Sequence, residues 1–546
     1  MKRFRLSQKG EWIINELSML SGKWLGRSRG VLPLLRALRE LGEPAAILQL
    51  LDLLFDSDEA IAQETAITVR ELLKAVPMGF YPMLDERLRR GGSYRPAQER
   101  WNLLDVEALR IISGRPDAIL LLELASSHGN GHVRETALGL LDQKVKSGEE
   151  IPFILLRLDD WVEVVSTWAE DAILERLVES NRPAFLRCLP LVMRLSARSR
   201  ARASAVLGRV VAFFQEDISA LAIAAMEIED GGARHYGLSL AWRIAMRKGE
   251  EAQRALIETA TKSKNPAVRL VAALWLTKTG VTPALTRSYL ADLLRDRVIN
   301  VRYVALSWCV VHEPQSFREE LRAALLDSNA SLRSLAQFYL PRLEPMDVRG
   351  FYRDMVAAGD SAFLTPALGG LGETGKAEDA TLVFPLLEGG KISVRKAALA
   401  ALARLAPGSH LELFVRALQD RSPGVSKQAR IVLESRVGEI GDERLEAIIK
   451  SDTYPHVRRQ TLVLINRLPK WKKLPLLIQV GGNPDDSLQP LASVFLQVCL
   501  LTYNRTHFLQ PTQSEVARLR AAFETNEERL EYRIRQELKG LVEIIV

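Results

Sequence analysis

Hydrophobic and polar positions alternate along this chain with the helix period, and the alternation itself repeats. A turn residue, commonly Asp, is followed six positions later by Arg, then by Ala and Leu at helical spacing. The pattern reads DRVINVRYVAL from Asp296, DSNASLRSLAQ from Asp327, SKNPAVRLVAA from Ser263 and GGKISVRKAAL from Gly389. DRSPGVSKQAR from Asp420 and DTYPHVRRQTL from Asp452 keep its shape. The residue preceding the Arg position serves as a ruler: Val133, Val164, Val268, Val301, Leu332, Phe363, Val394, Val425, Val457 and Leu488. From Val268 onward its steps are 33, 31, 31, 31, 31, 32 and 31 residues, which identifies tandem units.

Each unit is predicted to be helical. Ala follows the ruler by four residues and Leu by eight, as in Val268/Ala272/Leu276 and Val394/Ala398/Leu402. Those positions share one helix face, and the small Ala lets a neighbouring helix come close. Upstream of the turn lies a second amphipathic segment, such as TRSYLADLLRD from Thr286. A unit is therefore two antiparallel helices joined by a short turn. The expected fold is all-α, a solenoid of tandem helix pairs, about 31 residues each, roughly thirteen to fifteen in number.

The turn Asp, the Val-Arg pair and the Ala after it resemble HEAT repeats, especially the short bacterial type. The resemblance implies a ladder of Asp and Arg along the stack, with Asp296/Arg302, Asp327/Arg333 and Asp452/Arg458 as members. Arg134, Arg269 and Arg395 stand in units whose own turn lacks the Asp. It also implies binding along an extended inner surface.

By these patterns the chain divides into a basic helical cap (1–44), first repeats with an inserted basic loop near 87–100 (45–163), longer irregular repeats (164–267), regular repeats (268–510) and a closing amphipathic segment (511–546). That segment is read as a cap for the last repeat or as a docking element.

Departures from the repeat point toward function. From Val164 to Val268 the ruler jumps 104 residues. At Val164 the Ala position reads as Trp168 and the Arg position as Val165, with Trp161 nearby. Two tryptophans where small residues are expected either fill a kink in the stack or anchor a partner. Residues 181–210 then hold Arg182, Arg187, Arg194, Arg198, Arg200, Arg202 and Arg209 without an acid, a local +7 equal to the excess of the whole chain. Such a cluster suits an acidic partner or phosphates. The candidate partner-binding residues are Trp161, Trp168, Arg194, Arg198, Arg200 and Arg202.

Composition narrows the chemistry. The 546 residues are 47% hydrophobic and 26% charged, which excludes wholesale disorder. No apolar run reaches the roughly 18 residues of a membrane span. Three isolated cysteines, Cys188, Cys309 and Cys499, indicate a reducing, cytoplasmic compartment. GGLGETGKA, from Gly369, has phosphate-loop spacing, but Ala377 stands where a Ser or Thr must hold magnesium, and no strand precedes it. His128 and His132 flank a glycine turn without a set of metal ligands. Some HEAT-like proteins are di-iron hydroxylases with several His-Glu pairs; only His312-Glu313 is present. Trp101 and Asp105 resemble the catalytic stretch of HEAT-like alkylpurine DNA glycosylases, but Asp171 stands where that family expects Arg. The sequence thus predicts a non-catalytic scaffold or adaptor binding one or more proteins, with no cofactor and no metal. Nucleic-acid binding through the basic patches is the alternative, glycosylase chemistry a more remote one.

Overall fold

A computed structural model of the chain describes residues 5–20, 27–90, 99–197, 205–278, 280–451, 454–484, 486–506 and 510–544. Among the described residues every regular element is a helix and none is a strand. The all-α helical-repeat architecture expected from the period is therefore the observed one. The chain folds as two compact units, Met1–Tyr289 and Leu290–Val546.

In the second unit helix pairs follow one another regularly. Arg318–Ala324 packs on Ala330–Leu343, Val348–Ala358 on Leu364–Thr374, Leu411–Leu418 on Pro423–Leu433, and Asp442–Lys450 on Pro455–Ile465. The second helices also pack side by side, Leu364–Thr374 on Ile392–Leu405 and that on Pro423–Leu433. The small ruler-plus-four residues Ala336, Ala398 and Ala429 are wholly buried at these contacts. One continuous core results, running from Leu306 to Leu541. Helices Gln513–Asn526 and Tyr532–Ile544 join it, with Leu519, Phe523, Ile534 and Leu538 buried and the two helices packed on Lys470–Gly481 and Gln489–Thr506.

The first unit is less regular. Ala118–Ala125 pairs with Gly131–Lys144, Ile151–Arg157 with Glu163–Arg176, Ile218–Glu227 with Gly231–Lys248, and Glu250–Thr261 with Pro266–Leu276. Helix Tyr81–Arg90 departs from the sequential order and packs on Ile151–Arg157, while the turn before it, Met78–Phe80, meets Leu189–Ser196. This cross-packing explains why the period fails here.

The ruler needs two corrections: Phe363, before helix Leu364–Thr374, is 44% exposed with Leu364 in its buried place, and at Val164 the register slips by one. Val164 is 51% exposed, whereas Val165, Ala169 and Ile173 are fully buried. The repeat runs through Val165, its Ala slot is intact at Ala169, and Trp168 sits beside that slot on the outer face. Inside the long gap the structure adds a unit that the ruler passed over. Ala233, Gly237 and Ala241 line the buried face of Gly231–Lys248, and Arg234 occupies the Arg position.

The Arg and Asp positions make a relay rather than a pair within one turn. Each Arg reaches back to a carbonyl at the end of the preceding helix, six residues earlier in four units (Arg134 to His128 at 2.9 Å, Arg269 to Ser263 at 3.0 Å, Arg302 to Asp296 at 2.9 Å, Arg333 to Asp327 at 2.8 Å) and eight or nine earlier for Arg395 to Leu387 and Arg458 to Ile449. A cation there satisfies orphan carbonyls and complements the helix dipole. The same guanidinium reaches forward to the next turn. Arg302 binds Asp327 at 3.0 Å, Arg134 binds Asp160 at 2.8 Å, and Arg395 and Arg458 bind Asp420 and Asp486. Each of these Asp residues also accepts the N–H two positions on, forming an Asx turn into the next helix. Arg333 finds Glu373 instead, at 3.0 Å. Asp452 lies outside the described residues.

Candidate functional site

Val164 and Trp168, four residues apart, share one side of helix Glu163–Arg176, and Trp161 stands in the turn that leads into it. Trp161, Val164 and Trp168 are 65%, 51% and 39% exposed. Trp168 leans over the neighbouring helix Gly131–Lys144 at Gly139, where an added Cβ would lie 3.5 Å from its indole. Gly139 thereby leaves the floor beneath the ring flat. The three side chains form an apolar stripe that no element of the unit covers to completion.

Trp161 rests on a buried ion network. Its ring centroid lies 5.8 Å from the Arg89 guanidinium and 5.6 Å from that of Arg134, both within cation–π range. Asp160, with no exposed side-chain surface, accepts Arg134 Nε at 2.9 Å and Nη2 at 2.8 Å, Arg89 at 2.9 Å and Arg157 at 3.2 Å. Asp85 joins Arg89 at 3.2 Å and also binds Arg157. Burial works to raise the Asp160 pKa, but the Arg134 and Val162 hydrogen bonds and the charges of Arg157 and Arg89 outweigh it and hold the carboxyl below its ordinary value. Burial pushes the Arg157 guanidinium down, Asp85 and Asp160 opposing. The exposed indole is thus held by groups that cannot move without breaking several ion pairs. Such an anchor loses little freedom on binding.

The other expected site residues fall elsewhere. Arg194 lies 5.7 Å from the Phe80 ring and 3.5 Å from Asp230, bracing the Met78–Phe80 turn. Arg198, Arg200 and Arg202 lie outside the described residues. Arg182 is held by Glu179, Glu216 and the Phe213 carbonyl. In the other basic stretch, Arg89 belongs to the buried network, Arg90 pairs with Glu86 at 2.5 Å and Arg100 donates to the Phe55 carbonyl at 2.7 Å. Arg89, Arg90, Arg100, Arg182 and Arg194 thus each have a partner within the chain, while Arg187 and Arg209 are exposed.

The motifs with enzymatic echoes have structural work. Trp101 is buried, with His128 Nε2 2.9 Å from its carbonyl, and Asp105 caps helix Val106–Ile112 through the Ala108 N–H at 2.8 Å. A Cβ at Gly370 would stand 2.2 Å from the Tyr352 ring and one at Gly372 2.8 Å from Ala401 Cα, so these glycines of the supposed phosphate loop let helices touch. The three thiols are buried, and burial pushes Cys188 and Cys309 up to about 12. Among the described residues no three His, Cys, Asp or Glu gather as a metal-ligand set, and no helix is long and apolar enough to cross a membrane.

Reading only buried positions missed a second exposed surface, in the second unit. Helices Ile299–His312 and Ala330–Leu343 border a groove of about 640 Å³ with Tyr303, Val311 and Phe338 exposed on its walls and no charged side chain lining it. Tyr303 is ruler plus two and Phe338 ruler plus six, positions that point outward on every second helix. Ile431 and Leu274 occupy the plus-six place in their own units and are 46% and 44% exposed. Tabulating the outward positions would have found them.

No protein-family model matches the chain, and no curated protein is detectably similar to it. Among solved structures it is similar to the karyopherin Kap121p bound to the extreme C-terminus of the protein phosphatase Cdc14p. The identity is 13% and the TM-score 0.33, over 98% of this chain and 65% of that one. It is also similar to Kap121p bound to Nup53p, with 13% identity, TM-score 0.35, and 99% and 69% of the two chains. The Kap95:Nup1 complex gives 12% identity and TM-score 0.33, over 95% of this chain and 84% of that one. The chain thus spans just under two thirds of the first of these.

Proposed function

We propose that this protein is a non-catalytic scaffold or adaptor, built from HEAT-like repeats of the short type, that binds other proteins through the outward positions of its second helices. The observation that carries the reading is the Trp161–Val164–Trp168 stripe: large apolar side chains, exposed, rigidly seated and aligned. Exposed aromatic clusters of this kind supply most of the binding energy at protein interfaces. Nucleic-acid binding is less favoured, because Arg89, Arg134, Arg182 and Arg194 are committed to partners within the chain.

The test is affinity capture from native lysate, with and without nuclease, comparing the wild type with Trp161→Ala/Trp168→Ala. The expected result is a protein partner that survives nuclease and is lost from the variant, with an unchanged circular dichroism spectrum. Truncating a buried interface tryptophan weakens binding by about 2 kcal/mol or more, roughly 30-fold. An identical partner set for both proteins would remove the stripe as the binding surface. Nucleic acid recovered only without nuclease would shift the reading to the basic residues.

A further inference from the structure

We infer that the stripe on helix Glu163–Arg176 receives a basic amphipathic helix. The inference rests on the scaffold reading above and adds the chemistry of the partner. Val164 and Trp168 lie about 6 Å apart along the helix, one turn, and Trp161 continues the line into the preceding turn, so the stripe suits a docked helix that presents apolar anchors about one turn apart.

On helix Glu163–Arg176 itself the exposed charges beside the line are acidic, while the Arg89 and Arg134 guanidiniums lie by Trp161. Glu163 and Asp171 are exposed next to it, and Glu135, 41% exposed, stands on the adjacent helix. The only base on Glu163–Arg176 is Arg176, which is 1% exposed and tied to Asp142 and Glu150. Lys146 pairs with Glu175 at 3.2 Å, closing the far end of the helix. Beneath Trp161 the network of Arg89, Arg134 and Arg157 with Asp85 and Asp160 carries one positive charge in excess. Glu163 and Asp171 flank the Val164–Trp168 stretch, and the partner's basic residues belong along it. The stripe thus inverts the sign of a chain whose net charge is +7.

That inversion makes a sharp test. Two fluorescein-labelled synthetic 18-residue helices share a leucine face, one with lysines on its polar face and the other with glutamates. Fluorescence anisotropy measures each against the full chain at low and moderate salt. The net charge alone favours the glutamate peptide. The expected result is preferential binding of the lysine peptide, weakening with salt, reduced about tenfold or more by Trp168→Ala, and transferred to the glutamate peptide by Glu163→Lys/Asp171→Lys. Matching melting curves of the variants would show that they fold. Preference for the glutamate peptide that is still abolished by Trp168→Ala would overturn the charge assignment and leave the stripe as a docking surface. Failure of the lysine peptide to bind, or binding of both peptides indifferent to Trp168→Ala, would overturn the inference; the second result also counts against tryptophan anchoring.

Discussion

Replacing Asp160 by Asn changes one atom and removes the charge on which three arginines converge. The carboxylate accepts two bonds from Arg134, one each from Arg89 and Arg157, and the Val162 N–H at 3.1 Å, all without exposed side-chain surface. An Asn amide has one acceptor oxygen, and its NH2 must face a guanidinium, donor against donor. Asp85 alone then faces Arg89 and Arg157, while Arg134 keeps only the carbonyls of His128 and Gly129. Breaking a buried pair from one side costs about 3–5 kcal/mol. A small domain holds about 5–15 kcal/mol altogether. Long repeat arrays need not unfold in one step, so the assay is hydrogen exchange by mass spectrometry on peptides covering 131–176. Protection there should fall by two or more orders of magnitude, while peptides of the second unit stay unchanged. Arg134→Met on the same background should restore part of the loss, because it removes a cation left without its acceptor. The reasoning fails if Asp160→Asn stays within about 1 kcal/mol of wild type, or if the two losses simply add. The pH dependence has a definite sign. The folded pKa of Asp160 lies below the unfolded value near 3.9, so its contribution is present above about pH 4 and is lost as pH falls through the folded value. The variant should lack that part of the acid sensitivity.

Gly370→Ala places a methyl 2.2 Å from the Tyr352 ring, and overpacking of this kind should lower stability by about 1–3 kcal/mol in urea unfolding of the second unit. Asp327→Ala removes the bidentate partner of Arg302 and the Asx turn to the Asn329 N–H; a loss of about 1–2 kcal/mol is expected, seen as faster exchange in 299–343. Glu123 is buried, and burial raises its pKa to about 8, with Glu149 and Glu150 adding to the rise and Arg70 opposing it. Its folded value is above the unfolded one, so the stability it contributes is full below about pH 4.3 and is lost as pH rises through 8. Glu123→Gln should therefore melt higher than wild type at pH 8.5, with the gap closing near pH 4; equal melting points at both would refute this.

The repeat was legible because burial imposes a period: Val268, Val301, Leu332 and Val425 must point inward, and Ala must sit where helices touch. What lay on the other side of those helices was not legible by the same rule. Trp168 was noticed for the wrong reason, as an occupant of the Ala slot, because a one-residue slip at Val164/Val165 rotates a helix by about 100°. Only part of the seat beneath Trp161 follows from the repeat: Arg134 and Asp160 meet through the relay, whereas Asp85 and Arg89 join them because Tyr81–Arg90 leaves the stacking order. Arg182 and Arg194 seemed free because their acids lie outside the 181–210 window, Glu179 just before it and Glu216 and Asp230 beyond it.

The relay of arginines also gives the array a direction, and with it a rule for where it can be divided. Arg134, Arg302, Arg395 and Arg458 take their carboxylates from the turn that follows, while each of those Asp residues keeps its own Asx hydrogen bond whether or not an Arg arrives. A fragment that starts at a turn Asp loses nothing it cannot replace with water. One that stops short of the next turn strands a half-buried guanidinium at its final helix. The self-sufficient module accordingly runs from Asp to Asp, one turn longer than the helix pair. Pieces cut at Asp327 or Asp420 should behave better when the cut lies behind that residue, keeping it at the end of the upstream piece, than when it falls a few residues earlier.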